Sequence, residues 1–557
     1  MPPALKRRRS TDGCTVTPTK PGPSTVVEVF DWPADLCERL VTGPDGEERR
    51  LRLRALSHGV QWHVTSDYSG FDCPREAMRV GTLALQEHFK WKVLAPRFLR
   101  SCDVDSFCQK VLKEYSKTDG GCVFADINDR LPVYARNAID GMEPEKLNNN
   151  KDHHRLHRQQ QHVWIVAHKE HLFSADSTSR CLVHNDQCPT LPQVPVDSSD
   201  GGEGDSGDSS ESHKSKLRLN IAGTCCQGWS LEGKQWKDAH SSERPHSIWQ
   251  CEREQAEALS LEDGFIQECT PGYDMTKLTN TMEHTHYIFR IITGPLALGY
   301  PVRRQRSFVA GLSKRAFVWH GPADMTEVQQ QFETIFNRYL ACNGSVFLNA
   351  DKYEIHEEMR RLAANQANYW PAGFNVMAAL DRGEDMLKEC LAPGVYSRYQ
   401  AWEAVRVKKG FAEKAFFSDV DHNPGTKGPA ASDIFPCELR HNTVIAHHLR
   451  RACTPLEVLS SHGFHLHAEP SKRWGPTPVR DALSNVSKNR MCKLGGNGIN
   501  LPSFWAVLLY TLSSVSRREE TKLVKEIPLG SRGGSSFFEE DESFGQDTQE
   551  RQDADME

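Results

Sequence analysis

Two short stretches of this 557-residue chain carry side chains that could do covalent chemistry. The apolar run Leu217-Arg-Leu-Asn-Ile-Ala222 leads into Gly223-Thr224-Cys225-Cys226-Gln227-Gly228-Trp229-Ser230. A strand that ends in a glycine-flanked turn presents cysteine at the carboxyl edge of a sheet, where a thiolate can act as nucleophile. Phe265-Ile-Gln-Glu268-Cys269 ends another short apolar run with a carboxylate at the same kind of edge. A thiol and Glu268 on two strand tips form a candidate pair for covalent catalysis with acid assistance.

Such a pair must be held by a sheet, and strand-like segments recur along the chain. Residues 60–65, 98–102, 121–125, 217–222, 265–268, 287–292 and 307–312 read as strands; 74–89 and 107–115 read as helices. Strand-then-helix alternation predicts an α/β fold with a doubly wound, mostly parallel sheet that binds ligands at its carboxyl strand ends. The first strand runs into Ser66-Asp67-Tyr68-Ser69-Gly70, where a glycine lets a ligand approach the backbone near a helix amino end. The second ends in Asp103, placed to accept hydrogen bonds from ribose hydroxyls. The third ends in Asp126, placed to receive the exocyclic amine of adenine. Each acid alone also reads as a helix cap; acids at successive strand tips point to an adenosyl-type pocket.

Composition bounds the remaining possibilities. The net charge of -6 does not advertise nucleic-acid binding, so only a local patch could serve it. The 17 cysteines are irregularly spaced, which argues against a disulfide framework. There is no secretory-type leader, and the longest apolar run, 502–515, is shorter than a membrane span of about 20 residues. A soluble intracellular protein with reduced thiols and no membrane partner is expected. Lys6-Arg-Arg-Arg9 reads as a nuclear import signal, a phosphate-contacting arm or a solvated terminus, and nuclear location is the expectation drawn from it. A mean hydropathy of -0.59 implies solvated insertions. Residues 1–26 read as a disordered basic, Pro-rich terminus and 197–211 as an acidic low-complexity loop. Residues 516–557 read as an acidic mobile tail.

Between about 128 and 216 lies an insertion with His153, His154, His157, His162, His168 and His171, then Cys181-x-x-His184-x-x-x-Cys188. Those spacings could bind zinc. Exposed His-rich segments also bind metal incidentally, and no metal ligand is assigned from sequence.

The order of motifs resembles the cytosine-5 DNA methyltransferase family, in a divergent form. Cys226-Gln-Gly-Trp-Ser230 resembles its Pro-Cys-Gln nucleophile loop, and Gln267-Glu268-Cys269 its Glu-Asn-Val segment. Val302-Arg-Arg304-Gln-Arg306 resembles its Gln-x-Arg-x-Arg segment. Thr454-Pro455 opens a helix like the one that closes its recognition region, and Gly496-Asn497-Gly498 resembles the Gly-Asn motif that returns to the cofactor. The resemblance implies S-adenosyl-L-methionine as cofactor, held by Tyr68, Gly70, Asp103, Asp126, Asn497 and Gly498. It implies Cys226 as the thiolate that adds to C6 of a flipped-out cytosine, Glu268 as the carboxyl at N3, and Arg304 and Arg306 as positioning donors. It divides the chain into a catalytic domain, 55–312, a target-recognition domain, 313–445, and a return segment, 446–515. Double-stranded DNA is the implied partner. RNA cytosine methylation and an inactive DNA-binding relative are the alternatives. Cys225, Cys269 and Val302 depart from the family's Pro, Asn and Gln. The aromatic and basic residues Tyr353, Tyr369, Trp370, Phe374, Tyr396, Tyr399, Trp402, Arg406, Lys408 and Lys409 suit either base and phosphate contact or a small-domain core.

Overall fold

The computed structural model describes residues 16–142, 150–191, 215–225, 227–230, 235–364, 378, 382, 387–425, 430–437, 442–478, 480, 483 and 488–518. Three helices precede the sheet: α1 (Val26–Phe30), α2 (Trp32–Val41) and α3 (Gly46–Ser57). Thr25 and Glu28 close a reciprocal capping box on α1, which satisfies amide groups that a helix start leaves open. Then follow β1 (Gln61–Asp67), α4 (Cys73–Phe89), β2 (Arg97–Cys102), α5 (Ser106–Asp119) and β3 (Cys122–Phe124). The insertion supplies α6 (Val133–Gly141), α7 (Lys151–Leu172) and a hairpin of β4 (Thr178–Arg180) and β5 (Gln187–Pro189). The main sheet resumes with β6 (Lys216–Gly223), α8 (Glu243–Ala258), β7 (Gly264–Cys269), α9 (Thr276–Met282), β8 (His286–Thr293) and β9 (Arg306–Ser313).

Seven strands form one sheet in the order β3-β2-β1-β6-β7-β9-β8. β9 runs antiparallel to both its neighbours, whereas the other pairings are parallel. This is the doubly wound, mostly parallel α/β sheet expected. The chain reverses its direction of travel across the sheet between β1 and β6, so their carboxyl ends open a crevice there. Because β9 is reversed, its first residue, Arg306, lies at the edge where β7 ends; Cys269 pairs with Ser307 and Glu268 with Phe308.

All six residues of β7 are buried, as is each of the 13 residues of the helix Leu501–Ser513. That helix packs against α4 at Gly81, where a Cβ would lie 2.5 Å from the Trp505 ring. Beneath the end of β1, Asp67 is fully buried among Arg100, Arg130 and Arg253, with Glu252 as a second carboxylate shared by the same arginines.

Several sequence expectations are corrected. The terminus read as disordered through residue 26 is ordered from Val16: Gly22 donates to the Tyr339 carbonyl and Tyr339 to the Lys20 carbonyl, and Val26 begins α1. The tail read as mobile from 516 begins in a short strand instead, since Val515–Arg517 pairs antiparallel with Phe317–Trp319. Met1–Thr15 with Lys6-Arg9, the 197–211 loop and residues 519–557 lie outside the described residues. Residues beyond 313 continue into the same apolar core as the sheet, since Phe332 of the helix Met325–Phe336 packs on Tyr510 of the helix Leu501–Ser513. A separate apolar cluster runs from Met359 to Ala452 and includes Tyr399, Trp402 and Ile445. Tyr399 and Trp402 are therefore core residues rather than a base-stacking surface. Arg406 is occupied by Glu403 and the Phe411 and Ala412 carbonyls. Tyr369, Trp370 and Phe374 lie outside the described residues. Among the described residues, no helix is long and apolar enough to cross a membrane.

Candidate functional site

The parallel register brings the two strand tips noted in the sequence side by side, with Gly223 opposite Glu268. The turn after β6 is pinned onto β7 by Thr224, whose amide donates to the Glu268 carbonyl at 3.0 Å and whose hydroxyl donates to it at 3.2 Å. The same hydroxyl accepts from Gln267 Nε2 at 2.9 Å. Cys226 itself lies outside the described residues, but Cys225 and Gln227 on either side of it both line the crevice.

Glu268 Oε1 is 2.9 Å from Arg306 Nε, and both groups are largely shielded from solvent. Burial pushes the Glu268 carboxyl above its ordinary range, opposed by the guanidiniums of Arg306 and Arg304. Arg304 is buried and turns toward the return segment, donating to the Gly496 carbonyl at 3.1 Å and to that of Gly498. The arginines thus divide the work: Arg306 meets the carboxyl, and Arg304 clamps the chain that completes the wall.

A cavity of about 510 Å³ is bounded by Tyr68, Gly70, Asp103, Cys225, Gln227, Glu268, Arg304, Arg306 and Asn497. A second, of about 470 Å³, is bounded by Tyr68, Asp103, Asp126, Arg158, Cys225, Gln227 and Ser242. The two share Tyr68, Asp103, Val104, Cys225 and Gln227, so the strand tips of β1, β2 and β6 form walls of both. Tyr68 adopts a left-handed backbone, φ 51°, and its buried hydroxyl has no hydrogen-bond partner among the described residues. Burying a hydroxyl without a partner costs roughly 1–3 kcal/mol, and a polar ligand in the crevice would remove that cost.

Gly70 also has a left-handed backbone, φ 56°, and a Cβ there would meet nothing within 4 Å. Its amide donates to Asp103 Oδ2 at 2.7 Å, while Asp103 Oδ1 accepts from the Asp105 amide at 2.8 Å. Burial raises the Asp103 carboxyl, opposed by these two amides. Both oxygens keep further acceptor capacity for ligand hydroxyls. Asp126 caps the short helix Ile127–Arg130 through the Asn128 amide at 2.9 Å and also faces the smaller cavity. Its cap role and its pocket role coexist. Asn497 lines the larger cavity. Gly498 instead sits behind the wall: its carbonyl serves Arg304, and a Cβ would lie 3.1 Å from Cys73 Sγ. An adenosyl ligand with ribose hydroxyls and a charged tail fits this donor and acceptor set.

Two of the three departures noted in the sequence have local explanations. Val302 is buried and bridges to Phe435, so an apolar side chain suits it. Cys269 packs in an apolar cluster with Trp249 and Phe265. Three contributors escaped the sequence reading. Arg158 of α7 reaches the smaller cavity from the insertion, Lys493 pairs with Asp105 on the wall of the larger one, and Thr224 braces the loop. No motif marks Arg158; only the fold of the insertion brings it there.

No protein-family model matches the chain, and comparison with curated proteins finds no match. Among solved structures, the Entamoeba histolytica methyltransferase EhMeth aligns at 12% identity, over 81% of this chain and 97% of its own, with a TM-score of 0.35. The Schizosaccharomyces pombe (S. pombe) Dnmt2 methyltransferase aligns at 11%, over 80% and 96%, with a TM-score of 0.36. A putative DNA modification methyltransferase encoded within a prophage of E. coli aligns at 11%, over 84% and 100%, also at 0.36. The fold assignment rests on the strand order and directions described above.

Proposed function

We propose that this protein transfers a methyl group from S-adenosyl-L-methionine to C5 of cytosine in DNA. The observation that carries this reading is the meeting of the Glu268–Arg306 pair with the Gly223–Gln227 turn, at the crevice that also presents Tyr68, Asp103 and Asp126. Cytosine C5 is a poor nucleophile until a thiolate adds to C6. Cys226 is the thiolate in this proposal, and Cys225 is its neighbour on the loop pinned by Thr224. Glu268, its carboxyl favoured in the neutral form by burial, donates a proton toward N3 and makes C6 more electrophilic. Arg306 holds the carboxyl in place, and Arg304 keeps the return segment closed over the site. S-adenosyl-L-methionine, when bound, supplies an electrophilic methyl group. After transfer, loss of the C5 proton and expulsion of the Cys226 sulfur restore the aromatic ring. The cytosine must first leave the duplex, which costs a few kcal/mol of unstacking.

The test combines trapping and turnover. DNA carrying 5-fluorocytosine should form a stable adduct with the protein that Cys226→Ala abolishes and Cys225→Ala retains. Glu268→Gln should cut methyl transfer by about 10²–10⁴-fold, with cofactor binding nearly unchanged. Parallel assays on duplex DNA and structured RNA, read by nucleoside mass spectrometry, decide the polymer. Methylation of RNA alone overturns the DNA assignment, and an adduct that survives Cys226→Ala overturns the nucleophile.

A further inference from the structure

The residue cluster beside the edge strand points to a metal site. Cys122 at the start of β3, Cys181 and His184 in the β4–β5 turn, and Cys188 on β5 place their ligand atoms within 4.8 Å of one another. We infer that these four residues bind one structural zinc ion that clips the insertion to the edge of the main sheet.

The distances fit a tetrahedral ion. Bonds of about 2.3 Å to sulfur and 2.0 Å to nitrogen at tetrahedral angles put each sulfur roughly 3.5 Å from the imidazole nitrogen. His184 Nδ1 lies 3.3 Å from Cys188 Sγ, 3.4 Å from Cys181 Sγ and 3.7 Å from Cys122 Sγ. None of these three cysteines is in a disulfide. The surroundings look built for the purpose. The Val183 amide points at Cys181 Sγ at 3.4 Å, a contact that favours a thiolate, and Asn185 takes a left-handed backbone, φ 55°, to tighten the turn. The Leu182 amide donates to the Val123 carbonyl at 2.7 Å, which caps the open edge of β3 and fixes the turn beside Cys122.

Only three of the four ligands fall in the insertion; the fourth comes from the sheet, 62 residues before His184. Zinc here would reinforce the junction between the insertion and the sheet, which also share an apolar cluster containing Phe124, Ile165, Phe173 and Cys181. The ion would steady α7, whose Arg158 lines the crevice. It takes no part in the chemistry proposed above, and its test does not depend on that chemistry.

Full-length protein purified under reducing conditions, without chelator, should contain one zinc per chain by elemental mass spectrometry. Cobalt(II) exchanged into the site should give the visible absorption of a tetrahedral thiolate complex. Cys122→Ser and Cys188→Ser should each lose most of the metal, whereas His168→Ala, on the exposed face of α7, should retain it. His184→Cys, which keeps four ligands, should hold the metal and shift the cobalt spectrum, so a failure of the serine variants to fold leaves the assignment testable. Folded, metal-free wild-type protein that takes up no zinc when offered zinc alone would overturn the inference. So would full zinc content in the Cys122→Ser variant, or zinc lost with His168→Ala and retained without Cys122.

Discussion

Replacing Asp67 with Asn should be among the most damaging single changes in the molecule. Asp67 Oδ2 lies 3.1 Å from Arg100 Nη2 and 3.4 Å from Arg253 Nη1, and its other oxygen meets Arg130. All four side chains are essentially excluded from solvent. Burial opposes the charge on Asp67, but the three guanidiniums win and hold its carboxyl far below the usual range. At an effective dielectric of about 20, a contact at 3.1 Å is worth roughly 5 kcal/mol of attraction before desolvation is subtracted. The amide leaves three buried arginines facing Glu252 as their remaining close shared carboxylate, and breaking a buried pair costs about 3–5 kcal/mol. Urea denaturation followed by circular dichroism and tryptophan fluorescence measures this. Trp249 is a built-in reporter, since its indole N–H donates to Asn220 Oδ1 at 2.9 Å and Asn220 Nδ2 donates to Asp67 at 2.8 Å. Because the folded carboxyl is depressed, its stabilisation is fully present above the unfolded value of about 3.9 and is lost as pH falls through the folded value. Wild type and variant should therefore differ fully at pH 7 and pH 5, and converge in stronger acid. A variant within about 0.5 kcal/mol of wild type at pH 7 would refute the reasoning.

Gly81→Ala drives a methyl group into the Trp505 ring and should cost about 1–3 kcal/mol, read as a lowered urea midpoint with unchanged spectra. Gly70→Ala meets no protein atom but must hold a left-handed backbone, at roughly 1–2 kcal/mol; its methyl borders the crevice, so calorimetry should show cofactor affinity falling more than stability does. Arg304→Lys loses the Nη2 that donates to both the Gly496 and Gly498 carbonyls, worth about 1.5–3 kcal/mol, and should raise the cofactor dissociation constant about tenfold or more while the fold persists.

The fold was legible because its signals are local. Seven short apolar runs became seven strands of one sheet, and the helix 74–89 begins one residue earlier than read. The three amino-terminal helices were missed; α3 carries Arg and Glu along most of its length and shows little apolar periodicity, whereas α2 carries an apolar face of Trp32, Leu36, Cys37 and Leu40 that the reading passed over. Nothing in the residues around 313 tells that the next helix returns to the main apolar core.

What the sequence by itself determined is the inventory of reactive groups and the strand tips that present them, because alternation and turn residues are written within a few positions of each other. The tertiary structure decided the pairings. Asp67 finds its arginines 33, 63 and 186 residues away. Arg306 reaches Glu268 because β9 runs against its neighbours, and Cys122 joins a histidine across the whole insertion. Such contacts depend on how distant segments pack, which no short stretch of sequence encodes.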